Sequence, residues 1–200
     1  MRRVALFGGS FDPVHVGHLA IAEAARRRAR LDEVVFVPAR RNPLKEQEPS
    51  VSAADRCEMV RRALASTPGL HVSRIEVDRP GPSYTVETLR AFASDDVALF
   101  LVLGVDALRD LLRWREPTEV LRLATVLAAK RPGAAQPDLA PIRVLGGRVE
   151  FLDAPLVDLS SRELRAYARS GGSLRYLVPE AAWRYAAERG LYGQEPEGSH

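Results

Sequence analysis

Two rhythms of apolar and polar residues alternate along this chain. Continuous apolar runs recur at residues 4–7, 34–37, 97–103 and 124–129, and each reads as a strand buried on both faces. Between them apolar residues return at helical spacing: at Leu19, Ala22, Ala25 and Ala29, and again through residues 52–66, 84–93, 107–112 and 118–123. The run 97–103 is the most apolar, which predicts a central strand. Residues 71–77 alternate in part and read as an edge strand, and 149–152 as a short last strand. Three helical stretches, 160–169, 173–176 and 179–189, close the pattern. Residues 38–51, 79–83 and 134–141 read as loops from their Pro, Gly and charged content, and 193–200 as a disordered polar tail. Strands that alternate with helices predict an α/β fold with a mostly parallel sheet. No internal repeat or low-complexity segment is visible.

Composition narrows the classes. Two hundred residues suit one domain with a small extension, 1–192, whose C-terminal helical part spans about 158–192. An apolar share of 46% is ample for a core, yet no run approaches the roughly 20 residues that span a bilayer. Met1-Arg2-Arg3-Val4 leads straight into the first strand without a secretory h-region. Cys57 is the one cysteine and sits at helical spacing with Ala53, Val60 and Leu64, so it reads as core, and a reducing cytoplasm is the expected setting. A net charge of +3 attracts phosphorylated small molecules without the dense basic stripe of a nucleic-acid binder. Arg26, Arg27, Arg28 and Arg30 complement the dipole at the end of the first helix. Neither nucleic acid nor membrane is expected as a partner; a homo-oligomer is compatible with the sequence, which does not set the oligomeric state.

The chemistry concentrates where the first strand meets the first helix, in Gly8-Gly9-Ser10-Phe11-Asp12-Pro13-Val14-His15-Val16-Gly17-His18. The paired glycines permit a tight turn and close approach of an anion to the main chain. A helix start offers unpaired N–H groups and partial positive charge. His15 and His18, three residues apart, fall on one helix face, and Gly17 between them keeps the path to the backbone open. The same residues with Asp12 also read as metal ligands. A second candidate anion site opens the helix at 160: Ser160 and Glu163 fit a capping box, and Ser161 and Arg165 add a hydroxyl and a cation.

The first stretch resembles the (H/T)xGH signature of the nucleotidyltransferase superfamily and, with its double glycine and His15, the bacterial nicotinate-nucleotide adenylyltransferases. Asp158-Leu159-Ser160-Ser161-Arg162-Glu163-Leu164-Arg165 resembles the motif that closes over the ATP phosphates in that superfamily, with Arg162 in place of the usual hydroxyl residue. Gly81-Pro82-Ser83-Tyr84-Thr85, Gly104 to Asp106, Trp114, Lys130-Arg131-Pro132-Gly133, Arg175 to Pro179 and Gly190-Leu191-Tyr192 resemble further blocks of the family. From the residues alone, Trp114 also reads as packing, Asp106 as a helix cap, Tyr84 as a buried ring, and Lys130 and Arg131 as exposed charge. One departure lies in the second loop, where Asn42-Pro43-Leu44-Lys45 has Leu44 in place of a common histidine.

The resemblance implies a Rossmann-like, doubly wound sheet with a small C-terminal helical extension. It also implies transfer of an adenylyl group from ATP to nicotinate mononucleotide, with pyrophosphate leaving. His15, His18, Lys45 and Arg165 would be catalytic. ATP would be held by Gly8, Gly9, Ser10, Phe11, His18, Gly104, Asp106, Ser160, Ser161 and Arg165. Nicotinate mononucleotide would be held by Ser83, Tyr84, Thr85, Asp106, Trp114 and Arg131. Mg²⁺ would arrive on the ATP phosphates, without a dedicated set of ligands. The rivals are an adenylyltransferase that prefers nicotinamide mononucleotide or phosphopantetheine, and a nucleotide sensor without turnover.

Overall fold

In the computed structural model, described for all residues except 45–47, 131, 132, 134, 136, 156 and 197–200, the apolar runs become the strands of one parallel sheet. These are β1 (Arg2–Gly9), β2 (Glu33–Pro38), β3 (Leu70–Val72), β4 (Val97–Gly104), β5 (Ala124–Ala129) and β6 (Val149–Leu152). Their order is β3-β2-β1-β4-β5-β6 and every neighbouring pair is parallel, with Phe7 opposite Phe36 on one side and Val102 on the other. This is the doubly wound order, and its direction of growth reverses between β1 and β4.

Because successive strand residues face opposite ways, each apolar run supplies two cores. Ala5, Phe7, Val34, Phe36, Val102 and Leu127 meet helices α1 (Val16–Arg28), α2 (Ala53–Leu64), α8 (Ser161–Arg169) and α9 (Glu180–Glu188). Val4, Leu6, Val35, Leu101, Leu103 and Val126 meet the other layer. There lie α3 (Ile75–Asp78), α4 (Thr85–Phe92), α5 (Val105–Asp110), a 3₁₀ turn at Leu111–Arg113, α6 (Pro117–Leu123) and α7 (Ala140–Val144). Ser52 caps α2 by accepting from the Asp55 N–H at 3.1 Å, and Cys57 is buried in that helix, as its spacing predicts.

Four local expectations are corrected. The tail expected to be disordered over 193–200 is ordered at its start, where Gly193 ends the 3₁₀ turn Leu191–Gly193 and Gln194 is buried and hydrogen-bonded to Leu174 and Gly172. The strand expected over 71–77 stops at Val72. Ser73 N–H takes the Phe36 carbonyl as the last bond beside β2, and an Arg74–Asp78 ion pair at 2.8 Å closes residues 75–78 into a helical turn. Residues 173–176 are not helical. The Ser173 hydroxyl accepts from Arg175 N–H, Tyr176 has φ of 70°, and Arg175 bridges to Val178, so local side-chain bonding displaces the helix. The loop expected over 134–141 contains the start of α7: Asp138 accepts from Ala140 N–H at 2.9 Å and Pro141 occupies the first turn, where its missing N–H costs nothing.

Candidate active site

Gly8-Gly9 at the end of β1 and Gly104 at the end of β4 flank the point where the sheet reverses, the position at which open α/β sheets leave a crevice. A Cβ added to Gly8 or Gly104 would meet nothing within 4 Å, so both open onto free space. Gly9 is different: its Cβ would lie 3.0 Å from the Phe11 ring. Phe11 itself adopts φ of 47°, which turns the chain after Ser10 and buries the ring against Phe7 and Phe36 at centroid distances of 5.6 and 5.4 Å. The Phe11 side chain is thus the floor beneath His18, 5.0 Å away, and any contact it makes with nucleotide must come from its main chain.

His15 and His18 are brought together, though not as two residues of one helix face. His15 is the residue before α1 and His18 lies in its first turn. Their rings lie 3.7 Å apart between centroids, tilted by 35°, and the His15 N–H donates to His18 Nδ1 at 3.1 Å. With Nδ1 accepting, the proton of a neutral His18 ring resides on Nε2. His15 is 5% exposed, and burial lowers its pKa to about 4, so the ring is neutral at pH 7. Its buried Nδ1 finds no hydrogen-bond partner among the described residues. Gly17 matters here for a reason other than backbone access: a Cβ at this position would lie 3.0 Å from His15 Nδ1.

The opening of α8 folds back onto the same turn. Ser161 Oγ donates to the Pro13 carbonyl at 2.9 Å, and Arg165 Nη1 donates to the Asp12 carbonyl at 2.6 Å and lies 3.6 Å from Asp12 Oδ2. Ser160 caps the helix, accepting from Glu163 N–H at 3.2 Å and donating to its carboxylate at 2.6 Å. The hydroxyl protons of Ser160 and Ser161 are therefore spent within the protein. Asp12, 3% exposed, accepts from Ser50 N–H at 2.9 Å, from Ser50 Oγ at 3.0 Å and from the Tyr192 hydroxyl at 2.7 Å. Among the described residues no group of three or more His, Cys, Asp or Glu is placed to hold an ion.

Arg56 was not among the residues singled out from sequence. Its buried guanidinium donates to the carbonyls of Ser10, Ala39 at 2.8 Å and Arg40 at 3.4 Å, and its Nε donates to Val51 at 3.1 Å. Burial lowers its pKa while Asp12 opposes that shift. One side chain thereby ties the turn after β1 to both ends of the loop after β2. A signal existed: Arg56 lies on the buried stripe of α2 with Val60 and Ala63.

The remaining predicted contacts lie in the other layer. Ser83 accepts from Arg40 N–H at 3.0 Å and its N–H donates to the Arg41 carbonyl at 2.9 Å, so the 81–85 block is stitched to the exit of β2. Behind it, buried Glu76 accepts from Thr88 at 2.6 Å, and burial raises its pKa against the hydrogen bonds from Thr88 and Ser83. Tyr84 precedes α4 with Arg115 4.7 Å over its ring, and Thr85 begins the helix. Asp106 is exposed in the first turn of α5, paired with Arg109 at 3.0 Å. Trp114 is half-buried, and its indole N–H is buried with no partner among the described residues. Lys45 and Arg131 lie outside the described residues.

Comparison with known proteins places this arrangement. The family model described as cytidylyltransferase-like matches residues 6–167. A relative from Roseiflexus castenholzii, called a probable nicotinate-nucleotide adenylyltransferase, is 44% identical over 195 residues, covering 95% of this chain and 98% of its own. One from Thermus thermophilus with the same description is 45% identical over 194 residues, covering 95% and 99%. Among solved structures, Plasmodium falciparum nicotinic acid mononucleotide adenylyltransferase complexed with NaAD superposes with a TM-score of 0.76 at 16% identity, covering 96% of this chain and 98% of its own. A putative nicotinate-nucleotide adenylyltransferase from Vibrio parahaemolyticus gives 0.64 at 16% identity, covering 92% and 97%. At such identities the structural likeness is one of fold.

Proposed function

The chain belongs to the nicotinate-nucleotide adenylyltransferases of the cytidylyltransferase-like family, and we propose that it transfers the adenylyl group of ATP to nicotinate mononucleotide, releasing pyrophosphate and forming nicotinate adenine dinucleotide on the way to NAD. The observation that carries the reading is the closure of α8 onto the β1–α1 turn. Arg165 and the two histidines come to the same main-chain segment, beside the open ends of Gly8 and Gly104.

The 5′-phosphate oxygen of nicotinate mononucleotide attacks the α-phosphorus of ATP, and the bond to the β-phosphate bridging oxygen breaks. Such a transfer needs positioning and charge neutralisation more than a protein nucleophile. His18, with its ring proton on Nε2, donates to the phosphate chain. His15 packs against it as a neutral ring and holds the His18 imidazole in place beside the phosphates. Arg165 and Lys45 offset charge on the β- and γ-phosphates, and the first-turn N–H groups of α8 add the field of a helix start. The hydroxyls of Ser160 and Ser161 hold that helix start in position. Mg²⁺ enters as part of the MgATP substrate, coordinated by phosphate oxygens and water.

On the acceptor side, Ser83, Tyr84, Thr85, Asp106, Trp114 and Arg131 receive nicotinate mononucleotide. Trp114 is half-buried, which leaves part of its ring for the acceptor to pack against. The site belongs to one domain, residues 1–192. Its metabolite substrates fit a cytoplasmic setting, and among the described residues no helix is long and apolar enough to cross a membrane.

The test is pyrophosphate release with ATP and Mg²⁺, using nicotinate mononucleotide, nicotinamide mononucleotide and phosphopantetheine side by side. The first substrate should be strongly preferred. Preference for the amide would overturn the specificity, and ATP binding without release on any of the three would overturn turnover in favour of a sensor.

A further inference from the structure

Tyr192 lies far from the signature turn in sequence, beyond the last helix, and neither the chemistry above nor the packing of α9 requires its hydroxyl. It sits in the 3₁₀ turn Leu191–Gly193 with φ of 56°, a left-handed conformation that a bulky residue adopts only when its surroundings impose it. The surroundings are visible. Two residues on, buried Gln194 accepts from Leu174 N–H at 2.7 Å and donates to the Gly172 carbonyl at 3.2 Å, which clamps the segment against the turn after α8. The Tyr192 hydroxyl is then delivered to Asp12 Oδ1 at 2.7 Å.

The consequence lies on the other oxygen. A carboxylate turns freely about its last torsion unless its oxygens are held separately. Tyr192 holds Oδ1, the Ser50 N–H holds Oδ2 at 2.9 Å with the Ser50 hydroxyl between them, and Oδ2 lies 3.6 Å from Arg165 Nη1. That same Nη1 is bonded to the Asp12 carbonyl, so Asp12 holds the guanidinium by its main chain and by its charge. Burial and the Asp12 charge both push the Tyr192 phenol up, so it stays a donor across the working pH range.

We propose that Tyr192 is a positioning residue for adenylyl transfer: its hydroxyl sets the Asp12 carboxylate, and Asp12 in turn sets Arg165 against the ATP phosphates. The proposal rests on the function assigned above. It makes the C-terminal segment part of the phosphate site rather than a trailing end.

The test is Tyr192→Phe, which keeps the ring and removes one donor. Kd for α,β-methylene-ATP and KM for ATP should rise about fivefold to tenfold, as for a weakened charge-assisted contact. KM for nicotinate mononucleotide should stay unchanged. In an Arg165→Ala background the same substitution should have no further effect, because its target is gone. Asp12→Asn should reproduce the loss and serves if the first variant is poorly folded. Unchanged ATP affinity in Y192F, a fall in melting temperature with intact kinetics, or independent multiplication of the Y192F and R165A losses would each overturn the proposal. Failure of the parent reading looks different: wild-type protein silent with nicotinate mononucleotide yet binding ATP, in which case the ATP affinities still decide the role of Tyr192. Wild-type protein that binds no ATP overturns both.

Discussion

The two faces of the sheet hold the two halves of the proposed site in different ways. On the face of α1 and α8, the proposed phosphate half is tied together by the protein's own contacts. Asp12 gathers Ser50, Tyr192 and Arg165, and Arg56 joins the Ser10 carbonyl to the loop after β2. On the face of α4 and α5, the proposed acceptor half is more open: Asp106 is exposed and Trp114 is only half-buried. The contrast follows from the chemistry. Phosphate transfer gains most from fixed dipoles that need no reorganisation as charge moves, whereas recognition of a pyridine ring can be completed by the substrate itself. Loss of activity should therefore follow disturbance of the first half, and change of specificity disturbance of the second.

His18→Ala separates the halves most sharply. Losing a donor aimed at the phosphates should lower kcat by about 10²–10³, or about 3–4 kcal/mol, while circular dichroism stays native. Near-normal turnover would remove His18 from the mechanism. The next effect is on stability. His15 is buried neutral, with a pKa of about 4 against 6.5 in the unfolded chain. Between those values the unfolded chain binds the proton and the folded one does not. Stability is therefore full above pH 6.5 and falls as pH drops towards 4, by about 3 kcal/mol from this residue. Urea unfolding from pH 7 to 4, beside His15→Gln, checks this: the variant should lose that part of the slope.

Gly17→Ala tests whether the histidine pair is held by sterics. A methyl 3.0 Å from His15 Nδ1 makes the ring give by a few tenths of an ångström, which should lower kcat/KM about threefold to tenfold while alanine's helical preference, about 1 kcal/mol, offsets the cost to stability. Trp114→Ala should fall on the other half, raising KM for nicotinate mononucleotide about tenfold and leaving KM for ATP unchanged in steady-state kinetics. An equal rise in both would erase the division proposed between the faces. The smallest effect is expected from Leu44→His, which restores the residue common in the family. Leu44 is 45% exposed, and kcat/KM should move by about twofold or less.

Much of the scaffold beneath the proposed site is legible as local pattern. The strand and helix rhythm foretells the sheet, its central strand at 97–103 and both helix starts, because burial on two faces and capping are written in neighbouring residues. Reading stalls where local signals compete. Pro141 looks like a breaker and is a helix starter; Ile75 and Val77 alternate like a strand and lie in a helical turn. The roles of Arg56, Ser50 and Tyr192 were invisible for a different reason, since each depends on a partner distant in the chain.

The amino-acid order by itself determined the α/β alternation, the glycine turn before the first helix, the capped start at Ser160 and the family. These features arise from periodicity, caps and motif, all set within about a dozen residues. Only the tertiary structure decided that Ser161 meets Pro13 across 148 positions, Arg165 meets Asp12 across 153, and Tyr192 reaches the same carboxylate across 180. Those contacts follow from where the parallel crossovers return the chain over β1, and from the packing of α8 and α9 on the sheet face that carries α1. The proton position on His18 likewise waits on the fold, because it is set by which neighbour donates to Nδ1.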